Sequence, residues 1–243
     1  MTDSAIETPR VLTLLWGHPE PARRGPRPTL TVEQIGRAAI ALADAEGLDA
    51  VSMKRVAEAC GVSTMALYRY VDTKADLFTV MQEVGTGPPP EIPDGWRAGL
   101  EAWCRGYRGL LVRHPWMLQV PLSGPPETPD LLAWMEASLR AMDGMGLTPQ
   151  ETSQVLLQVN VYVRGDVALN GSLPTDPEDS VSGSWARRVR ELGSPGTYPF
   201  VHAMIDTGEF DEDDDPVEQF EFGLARMLDG IGMLVTERGV PDA

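Results

Sequence analysis

The sequence predicts an all-α protein. Apolar residues recur three and four apart through most of the chain, threonine or serine caps precede several of these runs, and no alternating strand pattern of useful length appears. No internal repeat is present. Residues 1–28 carry Pro9, Pro19, Pro21, Pro26 and Pro28 without a sustained period, which predicts an extended arm, charged by Arg23, Arg24 and Arg27. From Thr31 the period becomes helical, with Ile35, Ala38, Ala39 and Leu42 on one face, a capping box of Thr31 and Gln34, and Gly47 at the end. A second short helix fits Ser52 to Ala59, and Cys60-Gly61-Val62-Ser63 has the length and glycine of a tight turn. Ser63 caps a third helix to about Val71. Thr73-Lys74-Ala75-Asp76 opens a fourth, with Thr73 as N-cap and Asp76 where the helix dipole favours negative charge. The run from Gly85 to Pro90 interrupts regular helix, so the chain divides into an arm (1–28), a small helical domain (29–84), a linker (85–95) and a larger helical domain (96–243).

In the larger part, Trp96, Leu100, Trp103, Tyr107, Leu110 and Leu111 trace one face of a helix that stops before Pro115. Thr128-Pro129-Asp130 and Thr148-Pro149-Gln150-Glu151 each place a cap before a proline at the first helical position. They open one helix to about Met145 and another to about Asn170, the latter with Leu156, Val159, Val163 and Val167 in register. Shorter pieces fit Trp185 to Leu192 and Phe200 to Thr207. An acidic loop then leads to a last helix with Phe220, Leu224, Met227, Ile231 and Leu234.

Of the 243 residues 42 % are hydrophobic and 23 % charged, a composition that excludes disorder of the whole chain. The most apolar short run, Val11 to Trp16, falls far short of the roughly 20 residues of a membrane span, and no secretory signal opens the chain, so a cytoplasmic protein is expected. Cys60 and Cys104 alone exclude a disulfide framework and a cysteine zinc site, and each is expected to pack as a small hydrophobe. The net charge of −16 argues against a polyanionic partner, but its distribution reverses that. Residues 1–85 hold nine basic and eleven acidic residues; residues 86–243 hold eleven and twenty-five. Between Pro21 and Lys74 the balance is eight basic to six acidic, and both lysines of the chain, Lys54 and Lys74, lie there.

Residues 52–71, SMKRVAEACGVSTMALYRYV, read as two helices joined by a glycine turn. Ala57 is small where the helices cross, Gly61 takes the turn, and Val56, Val62 and Leu67 supply buried contacts. A packing αα-hairpin shows the same spacing. The other side separates the readings: Thr64, Met65, Tyr68, Arg69 and Tyr70 put polar, aromatic and cationic groups where a purely packing helix rarely spends them. Lys54 and Lys74 flank that helix where phosphates would run.

The stretch from about Thr31 to Glu83, with AIALADAEGLDAVSMKRVAEACGVSTMALYRYVDTKADL, resembles the DNA-binding domain of the tetracycline-repressor (TetR) family of bacterial transcription regulators, including Leu67, Tyr68, Tyr70 and Lys74 of its pattern. The remainder resembles an all-α carboxy-terminal domain of that family more loosely, through His114 to Met117, the PLSGPP stretch and FEFGLARMLDGIGML. The resemblance implies a homodimer that places two recognition helices in successive major grooves of a near-palindromic operator and lets go when a small molecule fills the larger domain. It further implies that Thr64, Met65 and Arg69 face bases, that Tyr68, Tyr70 and Lys74 hold phosphates, and that Ser52, Met53 and Lys54 touch the backbone or a groove edge. Arg69 is the best candidate for reading a guanine. For the arm two readings stand: a solvated leader, or arginines (Arg24 and Arg27 foremost) that enter a minor groove.

Five of the six tryptophans, with Tyr107, Tyr162, Tyr198 and His202, lie beyond residue 95. Most such rings are core. Gln154, Gln158 and Tyr162 recur four apart as a stripe facing solvent or a cavity, and the effector-site candidates are Trp103, Tyr107, Trp134, Gln158, Tyr162 and His202. Gly223, Gly230 and Gly232 in the last helix imply close approach by another helix, and with the Pro149 helix it is expected to form the dimer interface. Glu209 to Asp215 lacks the glycine and distal glutamate of a calcium loop and reads as a solvated acidic loop. His18, His114 and His202 are too scattered for a metal set, so no metal or cofactor is expected. An enzyme would need a nucleophile elbow, a phosphate loop or a paired acid and base, and neither G-x-S-x-G nor G-x-x-x-x-G-K occurs. A helical interaction protein without DNA affinity is the other rival, kept open by the acidic charge.

Overall fold

A computed structural model of the chain describes residues 8–17, 30–121, 124–170, 181–210 and 215–238, and among them every regular element is helical. Arg24 and Arg27, with Arg23, lie outside the described residues, as do His18, PLSGPP's Leu122 and Ser123, and Asp211 to Asp214 of the acidic run.

The helices are α1 (Arg10–Leu15), α2 (Val32–Glu46), α3 (Met53–Ala59), α4 (Thr64–Leu67), α5 (Lys74–Thr86), α6 (Trp96–Arg113), α7 (Pro129–Ala141), α8 (Pro149–Asn170), α9 (Val181–Leu192), α10 (Pro199–Ile205) and α11 (Pro216–Glu237). Short 3-10 turns cover Leu48–Ala50 and Pro115–Leu118. Local chemistry explains the starts. Thr31 Oγ1 accepts the Gln34 N–H at 3.1 Å while the Gln34 side chain accepts the Thr31 N–H at 2.9 Å, closing the expected box. Thr73 and Asp76 close a second, and Thr148 and Glu151 make the same reciprocal bonds before α8. Ser52 and Ser63 cap α3 and α4 through the Arg55 and Ala66 N–H groups.

α2, α3, α4 and α5 make a small head around Ile35, Ala39, Val56, Ala57, Leu67, Val71 and Leu77, all essentially without solvent exposure. Each of the buried valine, leucine and isoleucine side chains contributes about 1.5–3 kcal/mol of burial. Gly61 turns α3 into α4 at φ +67°, a conformation that a side chain would strain. Its N–H donates to Glu58 O and that of Val62 to Ala57 O. α6, α7, α8 and α11 form the larger bundle, with Val155, Val159, Val163 and Val167 of α8 facing Phe220, Leu224, Leu228 and Ile231 of α11 within one core. α9 and α10 pack on each other.

Several expectations need correction, among them the helix expected to run to about Met145, which ends at Ala141. The arm is not extended throughout: Arg10–Leu15 is α1, which buries Val11 and packs Leu12 and Leu15 onto the core beside α5. Trp16 Nε1 then donates to Glu127 O at 3.0 Å, fastening α1 to the loop before α7. The proline spacing hid this because six residues offer too few turns for a period. The third helix ends at Leu67 rather than about Val71, since the Arg69 and Tyr70 N–H groups bond three residues back, to Ala66 and Leu67. α5 continues through Gly85 and Thr86 into the seam before Gly87 ends it. Thr128 does not cap α7 with its side chain; its buried Oγ1 has no partner among the described residues, and a carboxylate from α5 serves that helix start instead.

Candidate nucleic-acid interface and effector site

α4 stands out of the head with its apolar side down. Leu67 is buried, whereas Met65 is 75 % and Tyr68 41 % exposed, and Arg69 is exposed beside them. Thr64 is half-buried at the first turn. Tyr70 leans its ring on the core, leaving only part of the side chain for an outside partner. Lys54 is exposed and 3.8 Å from Glu58; Lys74 is exposed at the start of α5 with its ammonium 5.3 Å over the Phe78 ring. Met53 is half-buried, and Ser52 has its Oγ engaged as the α3 cap. The structure therefore brings Lys54, Met65, Tyr68, Arg69 and Lys74 to the exposed surface of one helix-turn-helix head.

Sequence reading missed what steadies that head. Arg55 forks onto Glu46, with Nη1 and Nη2 donating at 3.0 and 2.6 Å, and so ties α3 to the end of α2. The Arg55 hydrogen bond holds the Glu46 carboxyl below the usual range. Asp44, also on α2, accepts the Trp116 Nε1–H at 2.8 Å and lies 2.9 Å from His114 Nδ1, joining the head to the Pro115–Leu118 turn. No local signal marks these pairs, which lie up to 72 residues apart. A crevice of about 990 Å³ opens along this junction between α1, α2 and the end of α5.

Within the larger bundle Trp103, Tyr107 and Trp134 do gather, with ring centroids 5.2, 5.8 and 6.1 Å apart. Trp103 Nε1 donates to Trp134 O and Trp134 Nε1 to Gly87 O, both at 2.9 Å, so the cluster is tied to the seam. Arg164 of α8, also missed, donates to Tyr107 Oη at 3.1 Å and through Nη2 to Met117 O and Leu118 O at 3.3 Å. The other three candidates lie apart. Gln158 is exposed along a groove of about 410 Å³ between α8 and α11. Tyr162 stacks on Phe220 at 5.6 Å and donates its hydroxyl to Phe220 O at 2.7 Å. His202 is buried in α10 with Nε2 unpartnered among the described residues. Of the α11 glycines, Gly223 lies under Tyr162 and Gly232 near Trp96, while Gly230 opens to solvent. Cys104 is buried and its thiol pushed up to about 12, chiefly by burial; burial also raises that of Cys60.

A helix-turn-helix head carried on an all-α body defines the class, that of a bacterial DNA-binding regulator. The family model for bacterial regulatory proteins of the tetR family matches residues 35–81, and that for the tetracyclin repressor-like C-terminal domain matches residues 89–235. The chain belongs to the TetR family. It is 38 % identical to the HTH-type transcriptional repressor DrrR1 of Streptomyces coeruleorubidus, over 98 % of this chain and 90 % of that one. Apo ActR of Streptomyces coelicolor has the same fold, with a TM-score of 0.73 and 21 % identity over 86 % of this chain and 98 % of ActR. ActR in complex with actinorhodin aligns with a TM-score of 0.72 and 21 % identity, over 83 % of this chain and 95 % of ActR. No helix among the described residues is long and apolar enough to cross a membrane.

Proposed function

We propose that the chain is a ligand-responsive transcriptional repressor, without catalytic activity, that binds a palindromic operator as a homodimer and is released by a small molecule. The observation that carries this is the outward set Met65, Tyr68 and Arg69 on α4 and the turn that follows it, a segment capped by Ser63 and buried through Leu67. A packing hairpin has no use for that surface. Residues 29–84 bind DNA: Thr64, Met65 and Arg69 read bases, Tyr68, Tyr70 and Lys74 hold phosphates, and Ser52, Met53 and Lys54 touch the backbone or a groove edge. Arg24 and Arg27 enter the minor groove.

Residues 96–243 dimerise and take the effector. Leu157 and Val161 of α8 and Phe222 and Met233 of α11 are each more than 60 % exposed in the protomer, an apolar surface that a second copy covers, with Gly230 leaving room for its approach. The effector meets Trp103, Tyr107 and Trp134, which lie beside the seam; Gln158, Tyr162 and His202 complete the candidate set. A related fold holding actinorhodin supports a small-molecule effector here.

Selection of bound sequences from random duplex DNA tests the operator reading. An enriched inverted repeat, with half-sites about one helical turn apart, is expected. Recovery of unenriched DNA overturns it.

A further inference from the structure

Arg164 has a half-buried charge with no carboxylate partner among the described residues. Among the described residues four arginines are half-buried: Arg55, Arg97, Arg108 and Arg164. Three have a carboxylate, Arg55 with Glu46 at 2.6 Å, Arg97 with Asp229 at 2.7 Å and Arg108 with Asp166 at 2.8 Å. Arg164 has none within ion-pair distance among the described residues. Its bonds go to a phenol oxygen and two backbone carbonyls, all neutral. Neutral acceptors leave the rest of that charge to solvent, so the guanidinium is open to a counter-charge that arrives from outside.

The neighbours say what carries that charge. Tyr107 Oη accepts from Arg164, which leaves the phenol proton without an acceptor among the described residues, and the Arg164 Nε–H is likewise unassigned. Two donors thus stand together at the edge of three aromatic rings. Asp166, the acid two residues along α8, is committed to Arg108 and Asn170. We infer that the effector is an anionic aromatic molecule whose carboxylate or ionised hydroxyl is received by Arg164 and Tyr107 while its ring lies against Trp103 and Trp134. This rests on the reading that the aromatic cluster takes the effector. It also gives Arg164 a double engagement, since the same guanidinium holds the carbonyls of the Pro115–Leu118 turn whose Trp116 and His114 grip Asp44 of the head.

Tryptophan quenching by an anthraquinone carboxylate and by the corresponding neutral carboxamide tests it. The wild type should bind the acid about tenfold more tightly than the amide, the scale of a charge-assisted bond. Arg164→Gln should reduce that ratio to near unity, and Arg164→Lys, which keeps the charge and loses the fork, should fall between. A merely structural Arg164, fastening the turn, would move both affinities together and leave the ratio unchanged, which overturns the inference. Equal binding of acid and amide by the wild type overturns it too. If neither probe quenches, the cluster is no effector site and the underlying reading fails with it. Should Arg164→Gln not fold, the Arg164→Lys ratio decides: an unchanged value overturns the inference.

Discussion

Glu83, near the end of α5, accepts the backbone N–H of Asp130 through both carboxylate oxygens, at 2.9 and 3.1 Å. It thereby does for the first turn of α7 what the Thr128 side chain does not, and it links the last helix of the head to the larger bundle. A negative charge at a helix N-terminus is favourable, and here Glu83 as a residue is 8 % exposed.

Glu83→Ala leaves the α7 start with an orphaned donor and a small void. Hydrogen bonds to charged groups are worth about 1.5–3 kcal/mol, so a loss of about 2 kcal/mol in urea unfolding is expected, with Glu83→Gln intermediate. Unchanged stability of both variants would show that the contact is incidental.

Asp44→Ala removes the acceptor shared by Trp116 and His114 between head and body. Because Asp44 is partly exposed, the effect on stability is small, about 1 kcal/mol. A freer head costs operator affinity by a similar amount, about fivefold, measured by fluorescence anisotropy on the selected operator. Wild-type affinity would mean that Asp44 does not set the head's orientation.

Acid should unfold the protein earlier than neutral pH does. The carboxyls of Glu46, Glu151, Glu221 and Asp229 are all held below their ordinary values: Glu46 by Arg55, Glu151 by the Thr148 N–H and hydroxyl, Glu221 by Arg105 and Asp229 by Arg226 and Arg97. A lowered folded value contributes stability that is present above the unfolded value, about 4, and lost as the pH falls through the folded one. Asp130, raised by burial, works in the opposite direction and is outnumbered. Unfolding midpoints in urea should be level from about pH 8 to pH 5.5 and decline below about pH 4.5. A midpoint that holds into stronger acid would show these pairs to be energetically silent.

The arm is tested by Arg23→Ala/Arg24→Ala/Arg27→Ala rather than by deleting residues 1–28, since deletion also strips α1, with Val11 buried and Trp16 tied to Glu127. The triple variant should weaken binding most on operators with A·T-rich flanks. Equal affinity on all flanks would return the arm to a solvated leader.

Much of the fold was legible because its signals are local. The capping box at Thr31, the N-cap at Thr73, the Gly61 turn and the Thr148-Pro149 start each lie within four residues, and the exposed face of α4 follows from placing Leu67 inward. What escaped depends on distance or brevity. α1 is too short for a period. The α4 ending turns on a switch to three-residue hydrogen bonds that composition does not encode. Arg55–Glu46, Asp44–Trp116 and Arg164–Tyr107 join residues 9, 72 and 57 apart, so tertiary packing alone creates them. Residue type alone marks the effector candidates in the sequence, and the bundle gathers only those whose helices, α6 and α7, cross near the seam.

The most direct test of the central claim is a salt-titrated gel shift on the selected operator, comparing the wild type with Tyr68→Ala/Lys74→Ala. A DNA-binding head that neutralises phosphates gives an affinity that falls steeply with salt, and losing Lys74 lowers the log–log slope by about one. Arg69→Ala run alongside should relax preference at one base pair by about 1–3 kcal/mol instead of weakening every sequence alike. A sharp, salt-sensitive complex that the double variant loses is the predicted result; a complex indifferent to salt and to Tyr68 and Lys74 would contradict the account.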